Sequence, residues 1–226
     1  MCGRFTLTIG EDELRQLMPE FIMEFGWQPR YNVAPSQTVA TVRNDGRRAI
    51  TATRWGLVPS WAKDPAIGNR LINARAESLA EKPSFRGPFQ RQRCLILADG
   101  FYEWQKLPGG SGKQPLRIRL KTGRPFALAG LWDRWRDPDG SDLLTSTIIT
   151  TAANRLLEPV HDRMPVILPP AAWDRWLDPG PVPPDRLAPC LQPYPPEEME
   201  AYPVSPLVNS PAHDEPACIQ PVTLPV

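Results

Sequence analysis

Six β-forming segments, separated by glycine- and proline-bearing turns, leave little of this chain for helices. They lie at 38–43, 49–57, 94–105, 116–120, 126–132 and 144–151, and each is rich in β-branched and aromatic residues or alternates in polarity. Pro108-Gly-Gly-Ser-Gly112 separates two of them and reads as a hairpin loop, and Asp137-Pro-Asp-Gly140 reads as a turn. Helical signals are few. Residues 11–18 open with acidic side chains, which suits a helix N-terminus. Residues 170–177 carry Pro in a first turn, and 154–157 reads as a short third helix. Strands do not alternate with helices in a βαβ rhythm, so the expected class is α+β: one β-rich domain over 1–226, mainly antiparallel, with a few short helices. The chain has 29 prolines. Eight of them fall between 179 and 196, so 178–200 reads as a Pro-rich surface loop.

Several function classes fall away. No run of about 18 apolar residues is present, which argues against a membrane-spanning helix. The start, Met-Cys-Gly-Arg-Phe, does not read as a secretory signal. Cys2, Cys94, Cys190 and Cys218 form no CxxC pair, so no metal or cofactor is expected, and a reduced, cytoplasmic protein is. The net charge of +1 hides an asymmetry. Residues 40–95 carry eleven Lys/Arg against four Asp/Glu, a balance of +7, while 170–226 carry two against eight, a balance of −6. In the basic stretch, arginines including Arg43, Arg75, Arg86 and Arg93 interleave with Trp55, Trp61, Phe85 and Phe89. That mixture suits a positively charged groove for a phosphate backbone with unstacked bases, and composition alone fits a solvated face over ordinary core aromatics better.

Cys2 is the residue with the sharpest chemistry. Once Met1 is removed, it carries an α-amine and a thiol on adjacent carbons. The amine condenses with an aldehyde, and the thiol then closes a five-membered thiazolidine on the imine carbon. An α-amine has a reference pKa of roughly 7.7–8.0, so a useful fraction is neutral near pH 7. Four further segments offer suitable partners: Arg30-Tyr-Asn-Val-Ala-Pro-Ser36; Leu71-Ile-Asn-Ala-Arg-Ala-Glu77; Ala98-Asp-Gly-Phe-Tyr-Glu-Trp104; and Glu158-Pro-Val-His-Asp-Arg-Met-Pro165. In an extended segment Asn73, Arg75 and Glu77 point one way. Glu103 among aromatics would have a raised pKa if desolvated. Glu103 or His161 could move protons during dehydration of a carbinolamine. Read singly, each could equally be a structural residue.

Together, Met-Cys-Gly-Arg-Phe, Tyr31-Asn-Val-Ala-Pro, Trp55-Gly-Leu-Val-Pro-Ser-Trp61, Leu71-Ile-Asn-Ala-Arg-Ala-Glu77, Gly100-Phe-Tyr-Glu-Trp104 and Val160-His-Asp-Arg-Met-Pro165 resemble the SOS response-associated peptidase (SRAP) family, from residue 2 to about 168. The resemblance implies a suicide crosslinker of abasic sites in single-stranded DNA, acting as a monomer away from membranes. Cys2 would supply amine and thiol, Asn73 would position the amine, Glu103 would transfer protons, and His161 would protonate the sugar ring oxygen. Arg4 and Arg75 would hold flanking phosphates, Asn32 would contribute to the pocket, and Trp61 would lie against the DNA. Thr151 and Arg86 would be backbone contacts. Three other readings compete: a thiol autopeptidase that removes Met1, a non-covalent reader of modified bases, and an abasic-site lyase.

Overall fold

Two β-sheets meet at a corner formed by Asp99. In the computed structural model, which describes residues 2–107, 109 and 112–223, the strands are β1 (Phe5–Leu7), β2 (Ile22–Met23), β3 (Arg30–Val33), β4 (Thr38–Arg43), β5 (Ala49–Trp55), β6 (Asn73–Arg75), β7 (Arg93–Ala98), β8 (Gly100–Lys106), β9 (Lys113–Leu120), β10 (Phe126–Arg136), β11 (Asp142–Ala152), β12 (Arg163–Pro165), β13 (Ile167–Leu168) and β14 (Met199–Pro203). The helices are α1 (Glu11–Leu17), α2 (Pro83–Arg91), α3 (Trp173–Trp176) and α4 (Pro184–Leu187), with short 3-10 turns between elements. One sheet runs β14-β9-β8-β1-β3. The other runs β12-β11-β10-β7-β4-β5-β2, with β6 and β13 attached to β11 and β10. Most pairings are antiparallel. The exceptions are β2–β5, β5–β11 and β6–β11.

The β5–β11 pairing closes a ring. Thr145 and Ser146 align with Arg54 and Trp55, so β11, β10, β7, β4 and β5 form a small barrel. Strand alternation then sorts the side chains into two cores. Val39, Trp55, Cys94, Ile96, Leu128 and Ile148 fill the ring, and this core continues to Phe5, Phe101 and Ile118 of the other sheet. The alternate set, including Val42, Ile50, Leu95, Leu97, Ala129 and Ile149, faces outward. There Leu14, Phe85, Phe89, Trp176 and Leu187 of the helices cover it. Each fully buried aliphatic side chain contributes roughly 1.5–3 kcal/mol.

The segment 94–105 reads as one strand in sequence and folds as two. Asp99 ends β7 and accepts hydrogen bonds from Thr6 Oγ1 (2.5 Å), the Thr8 N–H (2.7 Å), the Thr8 hydroxyl and Arg117 Nη2 (3.1 Å). Four donors compensate a carboxylate that is only 4% exposed. Gly100 makes the corner possible, because a Cβ there would stand 2.7 Å from Arg117 Nε. The turn at 137–140 forms as expected: Gly140 has φ +86 and its N–H donates to Asp137 O at 3.0 Å. The pairing of Lys106 with Lys113 makes β8–β9 a hairpin, while residues 108, 110 and 111 of its connection lie outside the described residues.

Two expectations need correction, and one helix lies where the sequence reading places none. Residues 154–157 form a hydrogen-bonded turn, not a helix, because the Asn154 side chain accepts the N–H groups of Leu156 and Leu157. Residues 178–200 are no mere loop. They hold α4 and two 3-10 turns, and Leu187, Cys190, Leu191 and Met199 are buried. Helix α2, which opens on a proline and holds Pro88 within it, was not anticipated.

Candidate functional site

Cys2 lies just before β1, with its side chain closed off from solvent in the core shared by both sheets. Strand β1 is fixed on both edges, by Phe5–Phe101 pairing to β8 and Phe5–Val33 pairing to β3. The Tyr102 N–H donates to Arg4 O at 2.9 Å and continues this anchorage toward Cys2. On its other side the Asn73 Nδ2 group donates to Cys2 O at 2.8 Å. Asn73 reaches it because β6 runs parallel to β11, with Asn73 level with Ile148, a residue of the same core. Burial holds the thiol pKa well above that of a free cysteine, and the charge of Glu103 pushes it the same way. The resting sulfur is therefore S–H, not thiolate.

Glu103 stands on β8 opposite Leu116 and is 4% exposed. Burial raises its pKa above the ordinary glutamate value, and the nearby His161 opposes that rise. Cys2, Glu103 and His161 therefore share one electrostatic neighbourhood, although 58 residues separate the last two in sequence. His161 sits in the turn between β11 and β12. Its Nδ1 lies 2.9 Å from the Arg163 N–H and 2.8 Å from Asp162 Oδ1. These contacts suit different protonation states. Neutral imidazole accepts the Arg163 N–H at Nδ1, and imidazolium turns an Nδ1–H toward Asp162; either form leaves a proton on Nε2.

The expected nucleic-acid contacts divide. Arg75 is exposed at the end of β6, and Trp61 is 60% exposed. Arg4 is half-buried. Its Nη1 donates to Asn32 Oδ1 and to Val208 O, both at 2.7 Å, and its guanidinium lies 5.9 Å from the Trp104 ring centroid. These partners are neutral, and burial holds the Arg4 pKa below its ordinary value. Asn32 is fully buried, and its amide also donates to Val208 O, Ser210 O and His213 O. It braces Arg4 from behind. Thr151 is 6% exposed in β11 opposite Met164 and offers little surface. Arg86 is exposed on α2, whose Phe85 and Phe89 belong to the outer core, so the barrel wall separates it from Cys2.

The composition argument for a basic aromatic groove is also corrected. Arg93 has no exposure, and its guanidinium donates to the carbonyls of Phe89, Gln90, Trp176, Asp178 and Gly180. Arg43 is buried against Trp132 and paired with Asp45. Trp55, Phe85 and Phe89 are core residues, which leaves Trp61 as the exposed aromatic of that group. Alternation from Asn73 also ends at Arg75. Residues 76–78 form a 3-10 turn, and Glu77 pairs with both terminal nitrogens of Arg163 at 2.7 and 2.9 Å. Sequence reading did not single out Arg163, although it stands two residues from His161. Its Nη2 also donates to Thr150 O at 2.6 Å, so Arg163 ties β12 to β11 and to the turn that follows β6. Among the described residues, no three His, Cys, Asp or Glu side chains form a metal-binding group.

Comparison with known proteins places this geometry in context. Residues 1–211 match the family model described as SOS response associated peptidase (SRAP). A Bacillus subtilis protein named abasic site processing protein YoqW is 50% identical over 97% of this chain and 99% of its own length. The Gallus gallus abasic site processing protein HMCES is 33% identical over 99% of this chain and 79% of its own. The crystal structure of a Bacteroides thetaiotaomicron protein superposes with a TM-score of 0.89 at 27% identity, covering 98% of this chain and all of the other.

Proposed function

The chain belongs to the SOS response-associated peptidase family, and on that premise we propose that it processes abasic sites in single-stranded DNA by closing a thiazolidine on Cys2. The observation that carries this reading is the setting of Cys2. Its backbone is held by Asn73, and its thiol lies within the field of a buried glutamate. Relatives that share half of its residues bear the name of abasic-site processing proteins.

The steps follow from the protonation states. His161, as imidazolium, gives its Nε2 proton to the sugar ring oxygen while the C1′ hydroxyl proton leaves to water. The ring C–O bond breaks and the C1′ aldehyde forms. With Met1 removed (it lies outside the described residues), the neutral Cys2 amine adds to C1′. A proton passes from nitrogen to oxygen and gives the carbinolamine. Glu103, whose pKa burial raises, protonates the departing hydroxyl, so water leaves and an iminium remains. The Glu103 carboxylate then takes the S–H proton as sulfur bonds to C1′. The net reaction is aldehyde plus aminothiol giving thiazolidine plus water, with Glu103 restored. A buried S–H near a general base suits this order, because sulfur is released as a nucleophile only after the iminium exists.

The test mixes purified protein with single-stranded DNA carrying one abasic site and resolves the products on a denaturing gel without borohydride. A band shifted by the mass of the protein, absent with intact DNA and lost in Cys2→Ala, supports the reading. No shifted band from protein whose mass proves loss of Met1 overturns it.

A further inference from the structure

The far end of the β8–β9 hairpin carries an electrostatic conflict. Lys106 and Lys113 are directly opposite one another in the antiparallel register, so their side chains leave the same face as neighbours. Both are exposed. Neither has an ion-pair partner among the described residues. Like charges set opposite each other weaken a hairpin. The pair becomes favourable when an anion lies between the two ammonium groups.

The conflict occupies a particular place. Along β8, Trp104 precedes Lys106 by two residues, hence about 6.7 Å on the same face. Trp104 is half-buried and carries the Arg4 guanidinium over its ring. The Trp104 indole is braced by its N–H donating to Asn209 Oδ1 at 2.7 Å. One face of this sheet thus presents a line of cation, aromatic ring and paired cations that starts at Arg4, two residues from Cys2 in sequence. Glu103 stands on the opposite face of the same strand, three residues before Lys106. Alternating cations and an aromatic ring suit a single strand, whose phosphates meet the cations while a base rests on the ring.

We propose that Lys106 and Lys113 together hold a phosphate of the bound single strand, one step beyond Arg4 and Trp104 along the hairpin. This rests on the reading of the protein as a binder of single-stranded DNA. Such a contact is sequence-independent and governs how long and in what direction the strand lies across the sheet.

The experiment compares wild type with the double variant Lys106→Gln/Lys113→Gln. Fluorescence anisotropy measures binding of an undamaged oligonucleotide between 50 and 200 mM salt. Each phosphate contact to a single strand contributes about 0.7 to the slope of log affinity against log salt, so losing the one phosphate held by this pair lowers the slope by about 0.7. Wild-type affinity should therefore fall about 2.6-fold more than that of the variant across this range. Lys106→Arg/Lys113→Arg should keep the wild-type slope. Thermal unfolding without DNA should show the glutamine variant at least as stable as wild type. An unchanged slope in the glutamine variant overturns the contact while leaving abasic-site crosslinking intact. Wild-type protein that neither binds nor crosslinks single-stranded DNA overturns the contact together with the reading beneath it.

Discussion

Replacing Asn73 by alanine isolates the hydrogen bond that holds the nucleophile. Asn73 makes one recorded contact with its donor side, Nδ2 to Cys2 O at 2.8 Å. Its Oδ1 is buried without a partner among the described residues, so truncation removes no second bond. The expected stability cost is that of a single half-buried hydrogen bond, about 0.5–1.5 kcal/mol. For a chain of 226 residues this lowers the melting temperature by about 1–6 °C. The chemical cost should be larger. The Cys2 carbonyl would be anchored only by the strand that follows it, and displacement of a nucleophile by about 1 Å costs on the order of 10²-fold in rate. Single-turnover crosslinking of abasic single-stranded DNA at saturating protein should slow by roughly 10- to 100-fold, while affinity for undamaged DNA stays within about twofold of wild type. Asn73→Asp keeps the volume but presents an oxygen to the Cys2 carbonyl, so it should slow crosslinking at least as much. A crosslinking rate equal to wild type in either variant, with the melting shift present, would refute the positioning argument. An equal loss in rate and affinity would place Asn73 in DNA binding instead.

Asp99→Ala leaves the buried Arg117 without its carboxylate, and denaturant unfolding should report a loss of about 3–5 kcal/mol. Glu103 has a folded pKa raised by burial, so its contribution to stability is fullest below its unfolded value and declines as pH rises through the folded value. Glu103→Gln should therefore gain stability relative to wild type between acid and neutral pH, and melting curves across that window that stay parallel would refute the assignment. Arg75→Gln should weaken binding of single-stranded DNA and reduce its salt dependence, because Arg75 is exposed beside Asn73. Arg86→Gln, on the outer helix, should leave anisotropy titrations unchanged.

Strands were legible where alternation was local. Residues 38–43 match β4 in full, and the segments at 126 and 144 grew only at their ends. The division at Asp99 was illegible, because 94–105 has β-forming side chains throughout. What ends β7 is a set of donors from Thr6, Thr8 and Arg117, more than ninety residues away in one direction and eighteen in the other. Helix α2 was hidden by its prolines, which usually count against a helix. One of them opens it, where no N–H is required.

The site divides the same way. Cys2, with its amine and thiol, follows from position and side-chain type alone, as does the need for a proton carrier and a polar anchor. No spacing rule could indicate that Asn73 would meet the Cys2 carbonyl, that Glu103 would be desolvated, or that Arg93 and Trp55 would be structural. Those outcomes depend on which alternation set of each strand faces inward once β5 pairs with β11 and closes the ring. Covalent chemistry resides in the residue itself and so can be read along the chain. Burial, pKa and contact are properties of neighbours, and neighbours from distant segments exist only after the sheets have closed.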